Sequence, residues 1–215
     1  MRFFDIITIF PNVLDSYFNE SILKRAQKKR LVKFKAWDLR DFTKDKHRTV
    51  DDKPYGGGVG MILKVDIIYK AVKKIIRKNK KTRIVLLSAK GKTFNQKHAK
   101  RLSKYDQLIL ICGHYEGVDE RVARYIADEE ISIGDYILTG GEVPAMVICD
   151  AVARLIPGVI NKKSLEEESS VDLKEYPQYT RPEVFNKWKV PKVLLSGHHK
   201  KIQEWKEKSV AKYGN

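Results

Sequence analysis

Apolar and polar positions follow two rhythms along the chain. Short runs rich in Ile, Val, Leu and Phe fall at Phe3–Phe10, Leu31–Trp37, Arg83–Ser88, Gln107–Cys112 and Glu130–Ile133, and each has the length and composition of a strand. Between them apolar residues recur at helical spacing. One such segment carries Val65, Ile68, Val72, Ile75 and Ile76, a second spans Asn95–Ser103, and a third, Pro144–Ile156, sets Met146, Cys149, Ala153 and Ile156 on one face. Pro144 suits a first helical turn and Pro157-Gly158 stops the helix. Strands alternating with helices predict an α/β fold built on a parallel sheet.

The rhythm fades after residue 160. Residues 161–176 carry Lys162, Lys163, Glu166, Glu167, Glu168, Ser169 and Ser170 with little periodic apolar content, which reads as a flexible linker. A main domain over 1–160 and a small basic helical domain over 177–215 are expected on either side. In the latter, Ser196 is a candidate cap for a helix over Gly197–Tyr213, with Ile202 and Trp205 on one side.

Composition narrows the partners. A length of 215 residues corresponds to about 1.4 typical domains, and 42% hydrophobic residues supply a sizeable core and exclude disorder over most of the length. Lys and Arg number 43 against 27 Asp and Glu, a formal charge of +16, which makes nucleic acid the leading partner class. The stretch from Lys70 to Lys104 contains no acid at all; it reads either as a solvated face or as a phosphate-contacting surface. The Phe3–Phe10 run is interrupted by Asp5 and stopped by Pro11, too short for a membrane span and unlike a signal peptide. Cys112 and Cys149 each sit in an apolar run. They suit small reduced core residues in a cytoplasmic protein, and their spacing supports no zinc site.

Three punctuated segments are the candidates for chemistry. The first runs from His47 through Arg48, Asp51 and Tyr55 to Gly56-Gly57-Gly58-Val59-Gly60-Met61. It lacks the Gly-Lys-Ser/Thr ending of a Walker loop and the third glycine of a dinucleotide fingerprint. The second, Gly113-His114-Tyr115-Glu116-Gly117-Val118-Asp119-Glu120-Arg121, comes directly after a predicted strand, where open α/β sheets hold their ligands. For Asp119, Glu120 and Arg121 the simpler reading is a helical first turn with ion pairs. The third runs from Ser132 to Met146 through Gly134, Gly140 and Gly141. It reads equally as a tight connection and as an apolar loop around an adenine ring.

Taken together, PYGGG-G-M at 54–61, GHYEGVDERV at 113–122, SIGDYILTGGEVPAM at 132–146, ARLIPGV at 153–159 and PQYTRPEV at 177–184 closely resemble the bacterial tRNA (guanine-N1)-methyltransferase family, TrmD, of the SPOUT superfamily. The resemblance extends from IITIFP at 6–11 to VLLSGHH at 193–199.

The resemblance implies an α/β domain with a deep trefoil knot, a linker and a small helical C-terminal domain, assembled as a cytoplasmic homodimer whose active site is shared between subunits. The implied reaction moves a methyl group from S-adenosylmethionine to N1 of the guanosine 3′ of the anticodon, position 37 of tRNA. The cofactor would meet Leu86, Leu87, Ser88, Gly113, Tyr115, Glu116, Ser132, Ile133, Gly134, Asp135, Tyr136, Ile137, Leu138, Gly140, Gly141 and Pro144. Catalysis would fall to Arg154, facing the charge that develops on guanine O6, with Glu116 near the target base and a linker carboxylate as the base. The family usually has Asp before Ser at that last position, and this chain has Glu168 before Ser169, with Glu167 as a rival. His47, Arg48, Asp51 and Tyr55 resemble the region that meets tRNA. Use of Mg²⁺ accompanies the resemblance, although no acidic metal cage is visible in the spacing. Val59 stands where proline is common, His198 where asparagine is common, and relatives usually continue past Asn215, so an abbreviated C-terminal domain is expected. Two other readings stay open: an RNA-binding protein with this fold that has lost catalysis, and an NTPase using Gly56–Gly60.

Overall fold

The computed structural model describes residues 1–161 and 176–213. These fall into two compact units divided after Asn161. Glu167 and Glu168, with the remainder of the expected linker, lie outside the described residues.

The first unit is a five-stranded sheet in the order β2-β1-β6-β5-β7, with β1 at Arg2–Thr8, β2 at Val32–Asp38, β5 at Thr82–Thr93, β6 at Gln107–Cys112 and β7 at Glu129–Ser132. Every neighbouring pair is parallel. The five predicted strands are therefore present, with ends shifted by a residue or two except in β5. That strand runs five residues past the predicted Ser88, because it pairs with β7 twice: Leu87 and Lys92 both register against Ile131, and the residues between bulge out. A two-stranded ladder of β3 (Asp51–Asp52) and β4 (Ile62–Leu63) stands apart from the sheet.

Strand alternation divides the core into two layers. Leu108, Leu110 and Cys112 of β6 point to one face, with Phe4 and Ile6 of β1. Helices α2 (Ser21–Lys28), α4 (Gln96–Leu102) and α6 (Glu142–Ala153) cover that face. Ile109 and Ile111 point to the other, under α3 (Val65–Ile75) and α5 (Glu120–Tyr125). The central strand β6 is buried along its whole length, which is why its sequence is continuously apolar rather than alternating. Its one polar residue, Gln107, is fully enclosed and saturated. Its amide nitrogen donates to Asp5 Oδ2 at 2.7 Å and to the Ile75 carbonyl at 3.1 Å, while its oxygen accepts from the Arg77 amide at 2.9 Å. A buried polar group costs little when it is paired in this way.

Helix α6 begins two residues before the predicted Pro144 and ends at Ala153, with Arg154 as its C-cap. Helix α4 has the Asn95 side chain as its N-cap, accepting from the His98 amide at 3.1 Å. Helix α2 and the one-turn helix α1 (Asp15–Phe18) are additions to the predicted set. Short helices with one or two buried residues leave little periodic signal.

The second unit holds a hairpin of β8 (Val184–Phe185) and β9 (Trp188–Lys189), then α7 (Lys192–Leu195) and α8 (His199–Tyr213). The hairpin adds to the purely helical expectation. Its turn places Asn186 at a φ of 55°, a conformation asparagine tolerates. Helix α8 starts two residues later than predicted, since Gly197 takes a φ of 68° and the Ser196 hydroxyl instead accepts the His198 amide at 3.2 Å.

Candidate functional site at the carboxyl ends of the strands

The loops that follow β6 and β7 meet at the bulge within β5. They enclose a cavity of about 260 Å³ lined from Leu86–Lys90, Gly113–Val118, Glu130–Ile133 and Tyr136–Gly141, with Pro144 at the base of α6. The position is a result of the parallel topology, which gathers successive strand-to-helix loops at one end of the sheet.

The loop after β7 crosses the end of β5 to reach β6. There the Gly141 amide donates to the Gly113 carbonyl at 2.9 Å, and His114 and Gly140 form an antiparallel bridge. Only glycine fits at 141: a Cβ would fall 2.6 Å from Cys112 Cα and 3.0 Å from the Gly113 amide nitrogen. Just beyond it, Glu142 is buried in the first turn of α6 and accepts a 2.6 Å hydrogen bond from the Thr8 hydroxyl. A carboxylate is favoured at that end of a helix.

The glycine-rich segment serves the loop after β6. Glu116 donates its amide to the Met61 carbonyl at 3.1 Å, Leu63 donates to Gly117 at 3.0 Å, and Asp119 returns a 3.1 Å bond to Leu63. The Glu116 side chain crosses Gly60 so closely that a Cβ there would lie 2.4 Å from Glu116 Cγ. Gly60 leads into β4 and not into a helix N-terminus. The segment therefore lacks the helical amides that a nucleotide-phosphate loop uses, which removes the structural basis of an NTPase.

The walls are apolar, with Leu86, Leu87, Ile131, Ile133 and Leu138 among them. Among the described residues Ile137 and Leu138 make no hydrogen bond, so their backbone groups are unspent. An apolar slot edged by free amides and carbonyls fits a purine ring. It offers no concentrated positive charge for phosphates. The residues present therefore suit S-adenosylmethionine, which carries adenosine but no phosphate.

All the cofactor-binding residues expected from the sequence line this cavity except Gly134 and Asp135. Those two are turned aside by a local serine turn, in which the Ser132 hydroxyl donates to the Gly134 carbonyl at 2.8 Å. The lining also includes His114, Lys90, Ile131 and Thr139, which sequence reasoning missed. His114 was signalled by its place between Gly113 and Tyr115, and Lys90 only by the β5 bulge. His114 packs edge-on against Phe10 and Tyr115, each at 5.0 Å.

Asp119, Glu120 and Arg121 conform to the simpler reading. Asp119 caps α5 by accepting from the Arg121 amide at 2.9 Å, and its carboxylate also accepts from the Arg121 guanidinium. Hydrogen bonding from Arg121 holds the Asp119 carboxyl below its usual range.

Arg154 lies elsewhere. It borders a second hollow on the outer side of α6, with Tyr17, Gln96, Met146, Val147 and Asp150. Arg48 pairs with Asp41, and with Asp38 at 3.7 Å; His47 and Tyr55 are exposed, and Asp51 is half-buried in β3. Among the described residues no group of three or more His, Cys, Asp or Glu could hold a metal ion. A pre-formed cage for Mg²⁺ is therefore absent among the described residues. Nor is any helix among the described residues long and apolar enough to cross a membrane.

The model of the family described as tRNA (Guanine-1)-methyltransferase TrmD matches residues 1–213. A tRNA (guanine-N(1)-)-methyltransferase of Dictyoglomus turgidum is 57% identical over 210 residues, covering 97% of this chain and 84% of that protein. One of Carboxydothermus hydrogenoformans is 57% identical over 206 residues, covering 95% and 81%. One of Clostridioides difficile is 51% identical over 207 residues, covering 94% and 90%.

Proposed function

The chain belongs to the tRNA (guanine-1)-methyltransferase TrmD family, and on that footing we propose that it methylates N1 of the guanosine 3′ of the anticodon, position 37, in tRNA. The observation that carries the donor assignment is the apolar cavity edged by the unspent backbone of Ile137 and Leu138. Bound there, S-adenosylmethionine would supply an electrophilic sulfonium methyl group. Leu86, Leu87, Ile133 and Leu138 would sandwich its rings, and the loops at Gly113 and Gly141 would hold it against the end of β6.

The protein's own groups must then manage one proton and one charge. N1 of guanine is protonated at neutral pH, so a carboxylate within hydrogen-bond reach has to accept that proton as N1 attacks. Glu168 takes this role, with Glu167 the rival. As the proton leaves, negative charge spreads to O6. The fixed guanidinium of Arg154 would meet it without reorganisation, and Glu116 would orient the base from the cavity side.

Arg154 and Glu116 border different hollows of one protomer. An active site shared between two copies accounts for this. A homodimer has further support in the outer side of α6, where Val143 and Val147 are exposed beside Tyr17 and Val13 of the neighbouring segment. Exposed apolar side chains gathered on one face in this way suit an interface. The knotted SPOUT arrangement is proposed with it, supported by the loop after β7 crossing β5 to tuck Gly141 against Cys112. A cytoplasmic location agrees with two buried free thiols and a tRNA substrate.

Single-turnover methylation of an unmodified tRNA transcript tests the proposal. One methyl group per tRNA is expected, lost with Glu168→Ala. Tight tRNA binding without transfer by the wild-type protein would instead point to an RNA-binding protein that has lost catalysis.

A further inference from the structure

The acid-free stretch from Lys70 to Lys104 is not absorbed by the cavity, apart from β5. Its charged turns lie at the opposite end of the sheet, where the strands begin. There the α2–β2, α3–β5 and α4–β6 connections form one continuous rim, stitched by backbone hydrogen bonds. Arg2 donates to the Leu31 carbonyl at 2.8 Å, Phe3 to Asp106 at 2.9 Å, and Asp106 to Lys81 at 2.8 Å.

This rim carries Lys29, Arg30, Lys78, Lys80, Lys81 and Lys104, all exposed. Among the described residues none of the six is in an ion pair. The carboxylate on the rim, Asp106, is already engaged: it pairs with Arg2 and accepts the Lys81 amide at 3.1 Å. Two aromatic rings lie among the cations, with Lys81 Nζ 4.8 Å from the Tyr105 ring centre and the Arg77 guanidinium 4.0 Å from that of Phe3. Unpaired cations crowded on one edge repel each other, and that cost is offset when a polyanion releases its counterions onto them.

We propose that this rim is a second RNA-contacting surface, separate from the methyl-transfer site, which binds the phosphate backbone of RNA without reading its sequence. The inference rests on the reading of the protein as a tRNA methyltransferase. Flexible lysines act as point charges rather than as bidentate readers of base edges, so the contact adds affinity and salt dependence but not selectivity.

The test compares the full-length wild type with a variant carrying Lys29→Gln, Lys78→Gln, Lys80→Gln and Lys104→Gln. Binding of a tRNA transcript and of an unrelated hairpin RNA is titrated from low to moderate salt. The slope of log affinity against log salt should fall by about three for both RNAs, with roughly tenfold weaker binding near physiological salt. The rate at saturating tRNA and the affinity for S-adenosylmethionine should not change. Equal slopes for variant and wild type would overturn the proposal, as would a loss of binding to anionic vesicles or an acidic peptide with RNA affinity intact. A wild-type protein that neither binds nor methylates tRNA would mean instead that the functional reading has failed.

Discussion

Gly141 lies directly on Cys112: a Cβ on the glycine would stand 2.6 Å from the cysteine Cα. This contact fastens the loop after β7 to the end of β6 and so sets the floor of the proposed donor cavity. Gly141→Ala should therefore force the two backbones apart. Overpacking of this kind costs about 1–3 kcal/mol. The expected outcome is a lower melting temperature and at least about tenfold weaker S-adenosylmethionine binding by calorimetry, equivalent to some 1.4 kcal/mol. Donor affinity equal to wild type would show that the floor does not depend on this contact.

Glu129 anchors the start of β7 between two arginines. Arg83 Nε donates to its Oε1 at 2.7 Å and Arg101 Nη1 to the same oxygen at 2.9 Å. Burial pushes the carboxyl up, but the hydrogen bonds and charges of Arg101 and Arg83 outweigh it and hold the group below its usual range. A depressed carboxyl stabilises the fold above its unfolded value of about 4.3 and ceases to do so as pH falls through the native value. Urea melts of wild type and Glu129→Gln should differ by about 1–2 kcal/mol at pH 7, and the difference should shrink towards pH 3. A gap that stays constant with pH would contradict the assignment.

Cys112 and Cys149 are both buried, and burial raises both thiols well above their ordinary range. Neither should react with a disulfide reagent in the native state at neutral pH, since the thiolate is the reactive form. Labelling should proceed at the rate of opening and become fast in denaturant. Rapid labelling of either residue in the folded protein would contradict the packing behind β6.

Replacing Arg154 tests the division of labour between the two hollows. Arg154→Ala should lower the rate of methyl transfer by about 10²–10³-fold, the usual cost of one preorganised electrostatic group. S-adenosylmethionine affinity should stay within about twofold, since Arg154 does not border the donor cavity. Parallel loss of donor binding would place the arginine in the wrong role.

Much of this was readable from the chain because burial leaves a pattern. Gln107–Cys112 is continuously apolar since both faces of β6 are covered, and the glycines at 113, 140 and 141 mark where backbones approach each other. The far half of β5 left no such mark. Ala89-Lys90-Gly91-Lys92 carries no apolar run, and its pairing arises only from the second register against Ile131. For the same reason Lys90 could not be read as a cavity residue. Gly134 and Asp135 share a motif with true lining residues, yet the Ser132 hydroxyl turn directs them away. The separation of Arg154 from Glu116 was also hidden, because sequence spacing does not report which hollow a helix end faces. The basic stretch was equally ambiguous until the backbone bonds joining Leu31, Arg2, Asp106 and Lys81 gathered its turns into one rim.

The central claim is tested most directly by locating the transferred group. An unmodified tRNA transcript is incubated with the protein and isotopically labelled S-adenosylmethionine, and the product is digested and mapped by mass spectrometry. The account predicts a single labelled methyl on N1 of the guanosine immediately 3′ of the anticodon. A label on a ribose oxygen or on another base, or no label at all despite intact donor binding, would contradict it.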